Sequence, residues 1–236
     1  MPPQSNVTLH CYNKEPLLHQ QKTISFTCGR NKKSKDEKEE KMKKKNKIKC
    51  VLVGDDAVGK TSLIASYSAH SFPYEYVPTA YDKYNVEVQV DGKPIAMELC
   101  DTAGQDELDP LRSLCYPDSD IFLLCFSTVD PSTFVSASTR WANELSKRDG
   151  AIVLVGTKSD LSKNPEVIKR LRSDGQRPIS SGEAINLAEL LNAPYIETSA
   201  RTGMFVKEAF DLAITIALRN QKKARRKFWK KLLWCC

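Results

Sequence analysis

Residues 54–61 constrain the fold of this chain more than any other stretch. They read GDDAVGKT and match the pattern G-x-x-x-x-G-K-[ST], in which small residues let consecutive backbone N–H groups surround phosphate oxygens. The pattern needs a strand before the loop and a helix after it, because the helix N-terminus adds positive partial charge. An apolar run at 48–53 predicts that strand, and residues 61–69 predict the helix. The stretch therefore predicts an α/β domain that binds a phosphorylated ligand.

Two side chains of this loop carry specific chemistry. The ammonium group of Lys60 is expected to reach the β- and γ-phosphates of a nucleotide, and the hydroxyl of Thr61 is expected to hold Mg²⁺.

Charge divides the chain into three parts. The whole chain has a net charge of +7, while residues 1–49 hold 13 Lys/Arg and 5 Asp/Glu, and residues 219–236 hold 8 Lys/Arg and no acid. Each end is therefore +8, which leaves −9 on residues 50–218. An acidic central domain argues against nucleic-acid binding, whereas basic ends favour contact with an anionic membrane leaflet. The alternative, that the basic ends bind nucleic acid or importins, stays open.

The eight cysteines form no C-x-x-C pair or zinc spacing. Cys50, Cys100 and Cys125 fall in apolar strand-like runs, where free cysteine packs as a small hydrophobic residue. No signal peptide and no membrane-spanning run is recognised, so a cytosolic compartment is expected.

Strands and helices alternate after the loop. Strands are predicted at 84–90, 95–100, 121–126, 151–156 and 195–197, and helices at 132–147, from a capping box at Ser180 and Glu183 to about residue 191, and at 206–218. This order predicts a three-layer α/β fold, with a six-stranded, mostly parallel sheet covered by helices on both faces. Residues 1–47 are predicted to be a basic, disordered extension. Ligands of such sheets bind at the carboxyl ends of the strands.

The sequence Asp101-Thr102-Ala103-Gly104-Gln105 follows a predicted strand, 41 residues after Lys60. It matches the DxxGQ signature of small GTPases. A carboxylate at its start can bind Mg²⁺ through water, the Gly104 N–H can sense the γ-phosphate, and Gln105 can orient the attacking water.

A second loop, Thr157-Lys158-Ser159-Asp160, follows the strand at 151–156 and resembles the [NT]KxD guanine-reading loop. The Asp160 carboxylate can accept two hydrogens from guanine and has no matching donors on adenine, so this loop favours GTP over ATP. Residues 198–200, Thr-Ser-Ala, are similar to the last nucleotide-contacting loop.

Together these motifs resemble those of Rho-family small GTPases over residues 48–218. Residues 72–82 resemble the first switch of that family, and residues 161–177 match its helical insert. The Ala80 that follows Thr79 and the long basic arm are similar to the atypical Wrch/Chp branch.

The resemblance implies roles for individual residues. The implied catalytic residues are Gln105, Lys60 and Thr79, and the implied Mg²⁺ ligands are Thr61, Thr79 and Asp101. The implied phosphate contacts are Gly54, Asp55, Asp56, Ala57, Val58, Gly59, Lys60, Thr61, Ser62 and Gly104. The implied guanine contacts are Phe72, Thr157, Lys158, Asp160, Ser199 and Ala200. The implied effector and switch residues are Tyr76, Ala80, Tyr81, Asp82 and Tyr84.

Asp56 departs from the family, which has glycine at this position of the loop. A carboxylate here points toward the γ-phosphate and opposes the negative charge that develops during hydrolysis. We therefore expect slow hydrolysis that a GTPase-activating protein does not accelerate. The alternative is a permanently GTP-loaded docking module with negligible turnover.

The C-terminal end departs from the family as well. It ends in Cys235-Cys236 after a basic segment with aromatic residues, and resembles the palmitoylated ends of the Wrch/Chp branch. Geranylgeranylation of both cysteines is the alternative, and hydroxylamine separates the two because it cleaves only the thioester.

The resemblance also implies partners and a place in the cell. GTP and GDP are the expected nucleotides and Mg²⁺ the expected cofactor. Kinase-type effectors and guanine-nucleotide exchange factors are the expected protein partners of a monomer, with a role in the actin cytoskeleton, cell shape and migration. The expected location is the cytoplasmic face of the plasma membrane or of endomembranes.

Overall fold

The computed structural model describes residues 9–11, 47–69, 72–73 and 81–233. The strands are β1 (Leu9–Cys11), β2 (Lys47–Val53), β3 (Tyr81–Val90), β4 (Lys93–Thr102), β5 (Ile121–Ser127), β6 (Ala151–Thr157) and β7 (Tyr195–Glu197). The α-helices are α1 (Lys60–Ala69), α2 (Asp109–Ser113), α3 (Pro131–Ser136), α4 (Ala142–Leu145), α5 (Pro165–Ser173), α6 (Ser181–Leu190) and α7 (Val206–Leu233). Short 3₁₀ turns lie at Asp106–Leu108 and Ser159–Leu161, and a π-helical turn, Ala137–Trp141, joins α3 to α4.

The described strands form one sheet in the order β1-β3-β4-β2-β5-β6-β7. Strand β2 runs parallel to β4 and β5, β5 to β6, and β6 to β7, whereas β3 is antiparallel to β4. The predicted three-layer, mostly parallel α/β fold is confirmed.

The sheet contains one strand more than the six predicted. Strand β1 comes from the N-terminal extension and pairs antiparallel with β3, with Leu9 opposite Val88 and Cys11 opposite Val86. An edge strand leaves its outer N–H and C=O groups unpaired, so a passing extended segment can add to it. Three residues are too few to show a period, and the sequence therefore carried no signal for β1.

Strands β3 and β4 extend beyond their predicted bounds. Their antiparallel register continues from Val90 opposite Lys93 to Tyr81 opposite Thr102. The turn between them has positive φ at Asp91 and Gly92, as expected for a two-residue hairpin. Polar residues 81–83 lie in the ladder because the backbone, and not the hydrophobic pattern, supplies the pairing.

Two hydrophobic cores lie on opposite faces of the sheet. Strand β5 shows the division, since Ile121 and Leu123 enter the core under α1 and α7, while Phe122 and Leu124 enter the core under the π-helical turn and α6. All four side chains are fully buried, which explains the unbroken apolar run in the sequence. The buried Cys100 and Cys125 belong to these cores, and burial raises the pKa of each thiol to about 12.

Helix α7 is much longer than predicted. Its first half packs on α1, where the rings of Tyr67 and Phe210 stack with centroids 3.9 Å apart. Gln221 then donates to the Lys47 carbonyl (3.0 Å) and to Asp120 Oδ1 (2.8 Å), which lie at the starts of β2 and β5. The basic segment after residue 218 therefore begins as a direct continuation of a packed helix, at the end of the sheet opposite the phosphate loop.

Candidate nucleotide-binding site

The phosphate loop joins β2 to α1 at the carboxyl end of the central strand. Gly54 has φ of +143°, and a Cβ on it would lie 2.1 Å from the carbonyl oxygen of Cys125. Gly104 is equally constrained, because its Cβ would lie 2.2 Å from the backbone nitrogen of Asp56. Glycine at 54 lets the phosphate loop lie against β5, and glycine at 104 lets the DxxGQ loop lie directly against the phosphate loop.

Lys60 is 6% exposed and begins α1. Its Nζ donates to the carbonyl oxygens of Gly54 and Asp55, each at 2.8 Å. Burial lowers the pKa of the Lys60 ammonium, and the carboxylates of Asp101, Asp56 and Asp55 oppose that shift. The loop thus keeps a buried cation at its centre, where phosphate oxygens can replace the two carbonyl partners.

The two described Mg²⁺ candidates lie within hydrogen-bond distance of each other. Thr61 Oγ1 donates to Asp101 Oδ2 at 2.6 Å, and Asp101 is fully buried. A hydroxyl and a carboxylate are hard oxygen donors of the kind that Mg²⁺ takes, so the pair fits this ion. The third predicted ligand, Thr79, lies outside the described residues.

Asp55 and Asp56 face different partners. Asp55 Oδ1 accepts a hydrogen bond from Trp141 Nε1 at 2.7 Å. Asp56 Oδ2 accepts one from Gln105 Nε2 at 3.4 Å, on the exposed side of the loop. The carboxylate that departs from the family pattern therefore contacts the predicted water-orienting glutamine.

Two side chains of the [NT]KxD-like loop donate hydrogen bonds to backbone carbonyls of the phosphate loop. Thr157 Oγ1 donates to the Val58 carbonyl (2.6 Å), and Lys158 Nζ donates to the Ala57 carbonyl (2.7 Å). Lys158 has φ of +56°, a left-handed conformation that turns the chain sharply after β6. Burial lowers the pKa of the Lys158 ammonium.

A cavity beside these loops has the chemistry of a purine pocket. Ser199 Oγ donates to Asp160 Oδ1 at 2.7 Å, which orients that carboxylate. The cavity lining includes Phe72, Lys158, Asp160, Ala200 and Arg201. One carboxylate in a mostly apolar pocket can select a base by its donor pattern.

The structure thus gathers most of the predicted nucleotide contacts at one end of the sheet. Tyr81, Asp82 and Tyr84 lie on β3, and burial together with Asp82 raises the pKa of Tyr84 to about 12. Five of the residues that the sequence predicts for function lie outside the described residues: Tyr76, Thr79, Ala80, Cys235 and Cys236.

Sequence reasoning missed four side chains at this site. Arg201 lines the base cavity, and Trp141, Arg112 and Arg140 contact the two phosphate-facing loops. Arg201 directly follows the Thr-Ser-Ala loop and could have been found there. The others come from distant segments and carry no local signal.

The fold and the site are those of a small GTPase. The sequence profile of the Ras family matches residues 49–219, and the chain belongs to this family. Within it, the chain is 47% identical over 184 residues to Rho-related GTP-binding protein RhoV of Bos taurus, and 46% identical to RhoV of Mus musculus and of Homo sapiens. Each alignment covers 76% of this chain and 78% of the relative.

These comparisons confirm the predicted Rho family and its Wrch/Chp branch, so the chain is a RhoV-like small GTPase. Members of the Ras family bind GTP and GDP with Mg²⁺ and hydrolyse GTP, and these properties apply to the chain as a Rho-type switch.

Proposed function

We propose that this GTPase stays loaded with GTP because Asp56 impairs hydrolysis. The observation that carries the proposal is the hydrogen bond from Gln105 Nε2 to Asp56 Oδ2, at the phosphate end of the site. A glutamine amide bound to this carboxylate is not free to orient the attacking water. The signalling output is then docking of effectors to a GTP-bound surface, with slow turnover.

Charge adds to this effect. In the transition state, negative charge is spread over the three equatorial oxygens of the phosphoryl group, and a fixed carboxylate beside them raises the barrier. A GTPase-activating protein normally supplies an arginine worth about 10³ to 10⁵ in rate. Asp56 occupies the approach to that space and would pair with the arginine in place of the phosphate.

Single-turnover hydrolysis of GTP, with and without a Rho GTPase-activating protein, tests the proposal. We expect the Asp56→Gly variant to be stimulated by at least about 10²-fold and the unaltered chain by less than about 10-fold. Asp56→Asn is the matched control, since it keeps the volume and removes the charge, and it should be intermediate. Equal stimulation of all three proteins would contradict the proposal.

The described effector candidates, Tyr81, Asp82 and Tyr84, lie at the start of β3. Tyr81 and Asp82 pair with Thr102 and Asp101 at the end of β4, so this part of β3 is adjacent to the predicted Mg²⁺ and γ-phosphate contacts. Kinase-type effectors and exchange factors are the proposed partners, acting on the actin cytoskeleton, cell shape and migration.

The same proposal places the protein on the cytoplasmic face of the plasma membrane or of endomembranes. Helix α7 carries the basic segment away from the domain, and Cys235 and Cys236 are the proposed palmitoylation sites. Within the described residues, no helix is both long enough and apolar enough to cross a bilayer.

A further inference from the structure

Trp141 is fully buried in the π-helical turn between α3 and α4. Its only polar atom, Nε1, donates to Asp55 Oδ1 of the phosphate loop at 2.7 Å. A π-helical turn inside a longer helix is uncommon and often marks a functional position. The indole is therefore a packed core residue that also fixes one side chain of the phosphate loop.

Two guanidinium groups lie over the same indole. The Cζ of Arg140 is 4.3 Å from the ring centroid, and the Cζ of Arg112 is 4.6 Å from it. Both distances are within the range of attraction between a cation and an aromatic ring. Arg112 is buried and held further by Glu144, with Nε to Oε1 at 3.2 Å.

The same two arginines bind three consecutive carbonyl oxygens of the DxxGQ loop. Arg112 Nη1 donates to Ala103 O and to Gln105 O, each at 3.2 Å, and Arg140 Nη1 donates to Gly104 O at 3.4 Å. Asp109, which begins α2, accepts hydrogen bonds from both guanidinium groups. A continuous chain of contacts therefore runs from Asp55 through Trp141 to the backbone of Gln105.

From these contacts we infer that Trp141, with Arg112 and Arg140, couples the phosphate loop to the DxxGQ loop, and that Arg140 is a positioning residue for Gln105. The inference rests on the proposed role of these loops in binding GTP. The Gly104 backbone carries both ends of the coupling: its N–H is the predicted γ-phosphate contact, and its carbonyl accepts from Arg140. A shift of the Gly104 backbone on loading with GTP would therefore alter the environment of the Trp141 indole.

Arg140 is the member of the set that can be varied safely. Its side chain is 32% exposed, whereas that of Arg112 is 1% exposed. Arg140→Gln removes one of the two cations over the indole and keeps a polar side chain at the surface. Loss of Arg112 would instead leave Glu144 and the carbonyl groups of Ala103 and Gln105 without a buried donor, which threatens folding.

Fluorescence of Trp141 reports the coupling directly. The chain has three tryptophans, so Trp229→Phe with Trp234→Phe leaves Trp141 as the single emitter in the full-length protein. We expect its emission to differ between the GDP complex and the complex with a non-hydrolysable GTP analogue. Arg140→Gln should reduce this difference by more than half, while the dissociation constants of both nucleotides change by less than threefold.

Hydrolysis supplies the second readout. In the Asp56→Gly background, Arg140→Gln should slow single-turnover hydrolysis by about 10-fold, because a misplacement of about 1 Å in a reacting group costs up to 10²-fold. Arg140→Lys keeps the charge but not the planar group, and should recover part of both signals. Arg148→Gln is the matched control. Arg148 and Arg140 line one surface groove, and the Cζ of Arg148 lies 4.9 Å from the ring centroid of Tyr116.

Each outcome has a defined meaning. Failure of labelled GDP and GTP to bind the parent protein would overturn the proposed function itself. Normal binding without a nucleotide-dependent change at Trp141 would overturn the coupling, as would an Arg140→Gln variant with unchanged emission and hydrolysis. Equal effects of Arg148→Gln and Arg140→Gln would reduce the result to a general disturbance of the groove and would also overturn it.

Discussion

At the scale of single residues, Asp160 is the predicted determinant of which base is bound. Its carboxylate is oriented by Ser199 and lines the cavity together with Phe72 and Lys158. A carboxylate offers two acceptors side by side, which match the N1 and N2 hydrogens of guanine. Adenine lacks this pair of donors and would leave the carboxylate unpaired, so we expect this one side chain to discriminate between the two bases.

Changing that side chain should change the base that is bound. Asp160→Asn presents one acceptor and one donor, which suit the N1 hydrogen and the C2 carbonyl of xanthine. We expect the affinity for GTP to fall by a factor on the order of 10² or more, and the affinity for the xanthine nucleotide to rise. Competition between the two nucleotides measures the change. Asp174→Asn, on the exposed surface after α5, is the control, and a GTP preference retained by Asp160→Asn would refute the assignment.

At the scale of elements, helix α6 shows how local chemistry sets a boundary. Ser180 Oγ accepts from the Glu183 backbone nitrogen (3.3 Å), and Glu183 Oε2 accepts from the Ser180 backbone nitrogen (3.0 Å). This reciprocal capping box satisfies N–H groups that the first turn leaves without helical partners. Arg177 donates to both carboxylate oxygens of Glu183, at 2.7 and 2.9 Å.

This arrangement makes a small part of the stability depend on pH. Hydrogen bonds from Arg177, followed by those from Ser180, lower the pKa of Glu183 to about 2. A lowered carboxyl pKa adds stability that is complete above the ordinary value of 4.5 and is lost as the pH falls from there toward 2. The free energy of unfolding should therefore fall less over this pH range in Glu183→Gln than in the unaltered chain. The difference should be small, because solvent screens the half-exposed carboxylate. An identical pH dependence in both proteins would contradict the role of the box.

At the scale of the whole molecule, the nucleotide site and the basic segment of α7 lie toward opposite ends of the sheet. The nucleotide site lies at the carboxyl ends of the strands, and α7 leaves the domain at the opposite end, where Gln221 contacts Lys47 and Asp120. The acidic domain thus carries its basic segment on the side away from the nucleotide. A membrane on that side would leave the switch residues accessible to partners.

Binding of the unlipidated chain to vesicles tests this arrangement. Each basic residue near an anionic surface contributes about 1 kcal/mol, so removing four should weaken binding to phosphatidylserine vesicles by about 10³-fold. The variant replaces with glutamine four residues of α7: Lys222, Lys223, Arg225 and Arg226. Binding of the unaltered chain should also fall as salt rises.

The insert supplies a control of equal charge. The control variant removes an equal number of positive charges from residues 161–177, by glutamine at Lys163, Lys169, Arg170 and Arg172. This control should bind the vesicles nearly as well as the unaltered chain. Equal losses in both variants would mean that total charge, and not the position of α7, governs the contact.

The loops of the nucleotide site could be read from local sequence alone. The phosphate loop, the DxxGQ loop and the guanine-reading loop are short, and each needs particular residues for its own backbone geometry and hydrogen bonds. Gly54, for example, must be glycine because a Cβ would meet the neighbouring strand. The alternation of buried strands and helices was readable for a similar reason, since burial on both faces leaves unbroken apolar runs.

The contacts that join these loops exist only in the folded chain. Trp141 lies 86 residues from Asp55, and the arginines that bind the DxxGQ carbonyls come from α2 and the π-helical turn. Strand β1 and the extension of α7 were equally invisible, because the partner of an edge strand and the length of a polar helix depend on packing rather than on local pattern. A contact between segments distant in sequence has no period and no motif, so it exists only once the fold brings its partners together.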